Sequence, residues 1–303
     1  MLRAFLLYLS EKEFPKTILT GHSFGRRLAQ RFIAGDSLED AVKAVRAITA
    51  EGFEVTLDCL GESVHDASAA AEACEVYLGI LDRLAAEGLR SHVSIKLTQL
   101  GMAIDEELTF KHLRALCERA KQHHNFIRID MEGSAYTETT LRIFRTVNQP
   151  RDVLGMVIQS YLRRSERDVE ELVNSGARVR LVKGAYQEPP DIAFPKKSDV
   201  DASFVKLTEM LLASGQYHAI ATHDDRMIQA TKEIVAMRGL GKDQFEFQML
   251  YGIRRQLQRD LLRQGFRVRV YVPYGRQWYA YFMRRLAERP ANLFFLIKNF
   301  FRG

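Results

Sequence analysis

The chain carries no glycine-rich dinucleotide fingerprint, no Walker loop and none of the paired Cys/His spacings that hold zinc. Those absences exclude a Rossmann-type nucleotide domain, phosphate-loop chemistry and a structural zinc site. Cysteine is scarce. Its three occurrences, Cys59, Cys74 and Cys117, are odd in number and far apart, which reads as reduced thiols rather than a disulfide framework. Cys59 lies in an apolar run and reads as core, because a free thiol packs as a small hydrophobe. No apolar run is long enough to span a membrane. The opening stretch Met1–Ser10 is soon interrupted by Glu11, Lys12 and Glu13, which argues against a signal peptide, so the expectation is a cytoplasmic protein. Proline is also sparse, and three of the seven crowd into Gln187–Ser198, a loop that reads either as a flap over a site or as a plain surface turn.

What remains is ordinary globular composition, 47% hydrophobic and 27% charged. The net charge of +6 favours an anionic substrate or membrane surface and is too diffuse to argue for nucleic acid. Residues 1–50 read as helical, with Ser37 and Asp40 spaced for a cap and Gly52 ending the last helix. From there one phrase repeats. Eight β-rich segments begin near Glu54, Val93, Phe126, Leu154, Ala177, His218, Phe245 and Val268, and helical patterns separate them. Strict alternation implies a parallel sheet, and eight units in this length predict an α/β protein of the (β/α)8 TIM-barrel type over 51–303, with a last helix over its mouth. A doubly wound sheet is the competing architecture, and the missing glycine fingerprint counts against it.

In a barrel, polar residues at the C-terminal strand ends read as functional. Here they are Lys96, Asp130, Gln159, Arg180, Lys183, Thr222, His223 and Tyr271, and the last helix adds Tyr281, Arg284, Arg285 and Glu288 on one face. Two adjacent guanidiniums beside an aromatic suit a small carboxylate. Each residue also has a structural reading. Asp130 could cap a turn, Arg180 could be an ion-pair partner, and His223 could be a hydrogen-bonded core histidine. The rim is cationic beyond what one carboxylate needs, which points to a second anionic ligand such as a diphosphate.

Ser94-Ile-Lys-Leu-Thr, Arg128-Ile-Asp-Met-Glu-Gly, Arg180-Leu-Val-Lys-Gly-Ala-Tyr, Ala221-Thr-His-Asp, Phe247-Gln-Met-Leu-Tyr-Gly and Tyr271-Val-Pro-Tyr-Gly resemble signatures of the proline dehydrogenase family. So does Tyr281-Phe-Met-Arg-Arg-Leu-Ala-Glu-Arg-Pro-Ala-Asn292, the most specific of the set. The resemblance implies FAD held at the barrel mouth and oxidation of L-proline to 1-pyrroline-5-carboxylate by hydride transfer from C5 to flavin N5. Electrons would pass to a membrane quinone, and a separate pyrroline-carboxylate dehydrogenase would take the product. It further implies Asp130 and Arg180 as catalytic residues, with Arg180 beside N5. Lys96, Arg284 and Arg285 would grip the substrate carboxylate, while Leu250, Tyr271 and Tyr281 line its pocket. Met131, Gln159, Lys183, Gly184, Ala185, Tyr186, Thr222 and His223 would contact the cofactor, and Glu62 would pair with Arg284 as a gate. The tail Leu293–Arg302 is apolar with basic punctuation, which suits either a packed helix or peripheral contact with the inner face of the plasma membrane. Two rival readings stay open. One is a Schiff-base aldolase using Lys96 or Lys183; the other is a non-enzymatic membrane-docking protein.

Overall fold

The computed structural model describes residues 31–61, 63–147 and 153–288, with only the backbone of 284 and 286–288. Its strands are β1 (Glu54–Cys59), β2 (Ser91–Ile95), β3 (Ile127–Ile129), β4 (Leu154–Gln159), β5 (Arg178–Val182), β6 (His218–Ala221), β7 (Phe245–Leu250) and β8 (Arg267–Tyr274). They form one closed barrel in sequence order, every pair parallel, with β8 closing on β1. Helix α1 (Leu38–Ala50) precedes the barrel, and α2 (Ala67–Ala86), α3 (Glu106–Gln122) and α4 (Ser134–Val147) follow the first three strands. Then come α5 (Ser165–Asn174), α6 (Lys197–Ala213), α7 (Asp225–Met237), α8 (Arg255–Arg263) and α9 (Tyr279–Glu288). The predicted (β/α)8 architecture is the observed one.

Local chemistry sets the boundaries. Ser37 and Asp40 form a reciprocal capping box at the start of α1. Just before it the helical expectation fails. Ala34 donates to the Pro273 carbonyl and Gly275 to the Gly35 carbonyl, both at 2.9 Å, so this segment runs along the end of β8 as irregular chain. Phe32 is buried there against Phe282 of α9, 6.0 Å between ring centroids. The strand expected to continue to Gly101 stops at Ile95, and Leu97–Leu100 forms a 3₁₀ turn. Leu97 and Leu100 both bury, so their three-residue spacing overrides the strand-like alternation. Helix α4 starts five residues before the expected Thr139, because Glu188, 54 positions away, accepts from the Ser134 N–H at 2.7 Å and supplies the missing cap.

Apolar strand residues such as Val55, Leu57, Ile95, Ile129 and Leu181 face outward and pack under the helices in one continuous core. The inward face is polar, although a barrel interior is commonly filled by apolar layers. Arg128, Arg180, Arg269, Glu246 and Gln248 are all buried inside the barrel. Burial opposes ionisation of Glu246, but Arg269 outweighs it, donating at 2.8 and 3.0 Å and pulling the carboxyl down to about 2. Arg128 instead donates to the carbonyls of Arg178 (2.6 Å) and Met156 (3.3 Å) and lies over the Phe126 ring.

His218 joins β5 and β6 in the neutral form. Its Nδ1 accepts from the Val179 N–H at 3.1 Å, Nε2 lies 2.8 Å from the Ser214 hydroxyl, and burial, reinforced by Arg128, holds its pKa down at about 3. The unfolded chain takes up this proton below the ordinary value of 6.5 while the folded chain does not. Stability should therefore be full above pH 6.5 and fall towards about pH 3, by about 1.4 kcal/mol per pH unit from this group. Urea midpoints measured across that range should show the fall, and His218→Asn, whose amide oxygen can accept from Val179, should flatten it. Parallel curves would contradict the assignment.

Candidate active site

The C-terminal strand ends open into a cavity of about 640 Å3. Every expected site residue whose side chain is described lines it. Glu62, the Arg284 side chain, residues 1–30 and the tail Leu293–Arg302 lie outside the described residues.

At one end, charges alternate from strand to strand. Lys96 at the end of β2 donates to Asp58 Oδ1 at 2.7 Å and lies 3.8 Å from Asp130 Oδ2. Arg180 on β5 donates to Asp130 Oδ1 at 2.7 Å and to the Ser94 hydroxyl at 3.1 Å. The Tyr271 hydroxyl on β8 donates to Asp130 Oδ2 at 2.7 Å, and the Arg180 guanidinium lies 5.3 Å from the Tyr271 ring centre. The ion-pair reading of Arg180 therefore holds, Asp130 serves as its partner rather than as a turn cap, and both border the cavity. Burial and the carboxylates of Asp130 and Asp58 push the Tyr271 phenol well above its ordinary range, so it stays a donor. Arg285 and Tyr281 reach the cavity from α9, with the guanidinium 5.2 Å from the Tyr281 ring centre.

The other end is built by loops. Gly184 has φ +113, and a Cβ there would stand 2.3 Å from the Tyr161 ring, so the backbone runs against Tyr161. Lys183 is bonded to both Asp201 and Asp224, at 2.8 Å to the latter. Lys197 contacts the same two carboxylates. His223 Nε2 accepts from the Leu250 N–H at 2.9 Å, so the structural reading of this histidine holds beside its place in the cavity wall. Gln159 donates to the Glu132 carbonyl at 3.0 Å, and Met131, Ala185, Tyr186, Thr222 and Leu250 complete the wall.

Reading the sequence missed Asp58, Gln248, Lys197, Asp224, Asp225 and Arg254, all of which border the cavity. Asp58 had a weak signal, a charge near the end of a predicted strand, but only the structure shows that it faces inward. Asp224 follows the quoted Thr222-His223 pair directly. Arg254 had none, because its place depends on a left-handed backbone (φ 49) from which it donates to the His223 carbonyl at 2.8 Å. The proline-rich loop is secured rather than loose. Glu188 holds the start of α4, Arg163 donates to the Pro190 carbonyl at 2.9 Å, and Phe194 donates to the Tyr161 carbonyl at 2.8 Å.

The lysines speak against the aldolase. A Schiff-base nucleophile needs a lowered pKa. Burial pulls Lys96 that way, but Asp58 and Asp130 outweigh it and hold the ammonium above its ordinary value. Lys183 is clamped between two carboxylates. A flavin-sized ligand fits better. Arg180 Nε and Gln248 Oε1 are buried without hydrogen-bond partners, a donor and an acceptor ready for a polar heterocycle. Helix α6 begins beside Lys197 with no side-chain cap, which leaves its first N–H groups suited to a phosphate.

A closed parallel barrel with a charge-lined cavity at the C-terminal strand ends is the architecture of a (β/α)8-barrel enzyme. A family model for proline dehydrogenase matches residues 41–298. Proline dehydrogenase 1 of Bacillus subtilis subsp. natto is 45% identical over 304 residues, covering 99% of each chain. Proline dehydrogenase of Deinococcus radiodurans is 43% identical over 281 residues, 91% of each. The crystal structure of proline utilization A from Bdellovibrio bacteriovorus, inactivated by N-propargylglycine, matches with a TM-score of 0.81 and 25% identity, over 86% of this chain and 32% of that longer one. The chain belongs to the proline dehydrogenase family.

Gly184→Ala tests the end of the cavity that the loops build. The positive φ and the Tyr161 clash together should cost about 1–3 kcal/mol. Gly88→Ala has a positive φ but open space around it and should cost less. Urea unfolding of the two variants reads the difference, and equal losses would contradict the close approach.

Proposed function

We propose that this chain oxidises L-proline to 1-pyrroline-5-carboxylate with FAD and passes the electrons to a membrane quinone. The observation that carries the reading is the run of paired charges, Lys96, Asp130 and Arg180 with Tyr271, beside Arg285 and Tyr281 in one cavity of a chain of this family. FAD, when bound, supplies at flavin N5 the acceptor for the hydride that leaves proline C5. Arg180, Gln159, Met131, Thr222, His223 and the Lys183–Tyr186 loop would hold it, with Lys183, Lys197 and the start of α6 at its phosphates.

Lys96 and Arg285, with Arg284, grip the substrate carboxylate. That clamp fixes the ring in one pose and makes the transfer effectively unimolecular. Asp130 has both oxygens engaged, so it sets the direction of Arg180 and of the Tyr271 hydroxyl. Held in that direction, Arg180 would offer a fixed cation to negative charge on a bound flavin, without reorganising. Tyr271, Tyr281, Leu250 and Tyr186 close around the ring, and the bulk of Tyr271 works against ring-substituted prolines. The amine must carry a free lone pair before C5 can give up its hydride, so turnover should rise as the substrate nitrogen loses its proton. Glu62 would pair with Arg284 as the gate. The product leaves for a separate pyrroline-carboxylate dehydrogenase. None of the described helices is long and apolar enough to cross a membrane; contact with the quinone-bearing membrane is assigned to the tail Leu293–Arg302.

Arg285→Met tests the clamp. Losing one charge-assisted contact to a carboxylate should raise KM for L-proline by about ten- to a hundredfold, with a smaller change in kcat. Steady-state kinetics with a dye as electron acceptor measure both, and an unchanged KM would overturn the clamp.

A further inference from the structure

The reaction proposed above makes a cyclic imine, and an imine opens in water to an aldehyde. A neutral lysine in the same cavity would be consumed by that product. The amine nitrogen bonds to the carbonyl carbon, the carbonyl oxygen leaves as water with both nitrogen protons, and a carbon–nitrogen double bond remains. An ammonium has no lone pair and cannot start this step. The protonation of Lys96 is therefore a functional matter, and the geometry shows what maintains it.

Lys96 is faced by Asp58 from β1 at 2.7 Å and by Asp130 from β3 at 3.8 Å. Tyr186, Glu132 and Cys59 lie near enough to interact with its charge. Glu132 is occupied elsewhere, accepting from the Thr98 hydroxyl at 2.6 Å and the Thr98 N–H at 3.3 Å. Asp130 is occupied by Arg180 and Tyr271. Asp58 is 1% exposed, and its described hydrogen bond goes to Lys96. We propose that Asp58 is a positioning residue whose carboxylate holds Lys96 as an ammonium, so that Lys96 binds the substrate carboxylate and does not condense with the product. Burial alone would favour loss of this proton, and Asp58 is the foremost of the groups that reverse it. The inference rests on the reading of the product given above. Its electrostatic half, that Asp58 keeps Lys96 charged, does not.

Wild type, Asp58→Asn and Asp58→Glu, each loaded with FAD, are incubated at pH 8 with propanal or 1-pyrroline-5-carboxylate. Cyanoborohydride then fixes any adduct for peptide mass spectrometry. Asp58→Asn should carry at least tenfold more adduct on Lys96 than wild type, with either carbonyl source, and Asp58→Glu should return to the wild-type level. Asp58→Asn should also show a raised KM and a rate that decays during turnover. Equal labelling of Lys96 in wild type and Asp58→Asn overturns the proposal. Should Asp58→Asn not fold, the 15N-lysine spectrum of the wild type decides, with Lys96→Arg to assign the signal. An Nζ ammonium resonance persisting at pH 9 supports the proposal, and a neutral amine overturns it. Propanal labelling is independent of the substrate, so loss of the proline reading would show instead as a flavin that L-proline does not reduce.

Discussion

A charge taken out of water must be paired, and the mouth of this barrel is organised by that requirement. Asp58, Lys96, Asp130 and Arg180 come from four strands and alternate in sign, and Tyr271 from a fifth closes on the middle carboxylate. No member can move without leaving a neighbour uncompensated, at a cost of about 3–5 kcal/mol for a broken buried pair. The arrangement is rigid because its atoms sit on strands whose register is fixed by the closed barrel. Arg285, arriving from α9, brings further positive charge to the same cavity.

The rest of the fold supports this constellation. The apolar core lies between strands and helices, which frees the inward face for charge. Deeper in the barrel, Arg269 and Glu246 form a second buried pair that anchors β7 and β8 below the site. At the mouth, the segment around Phe32 packs against Phe282, so the helix bearing Arg285 is held from its outer side. Glu188 ties the loop after β5 to the start of α4. Both ends of the cavity are thus braced by contacts far apart in sequence.

Much of this was legible in the sequence, for physical reasons. Eight β-rich runs alternating with helical periods admit few architectures, and the closed barrel is the one they point to. Lys96, Asp130, Arg180 and Tyr271 stood out because charge and aromatic bulk at strand ends have no apolar core to join, and Tyr281 and Arg285 because they share one face of the last helix. What stayed hidden depends on partners. Asp58 looked like one polar residue in a strand until Lys96 was placed beside it. The early start of α4 needs Glu188, and the place of Arg254 needs a left-handed backbone that no local pattern announces. The charged barrel interior was hidden because the alternation that marks a strand does not say which face turns inward.

The proposed function requires one cavity to hold both a flavin and the proline that reduces it. The most direct measurement is the visible absorbance of the FAD-loaded protein before and after L-proline is added in the absence of oxygen. The band of oxidised flavin should appear at one per chain and bleach as proline is added. A protein that takes up no flavin, or a flavin band that L-proline leaves unchanged, would contradict the proposed function.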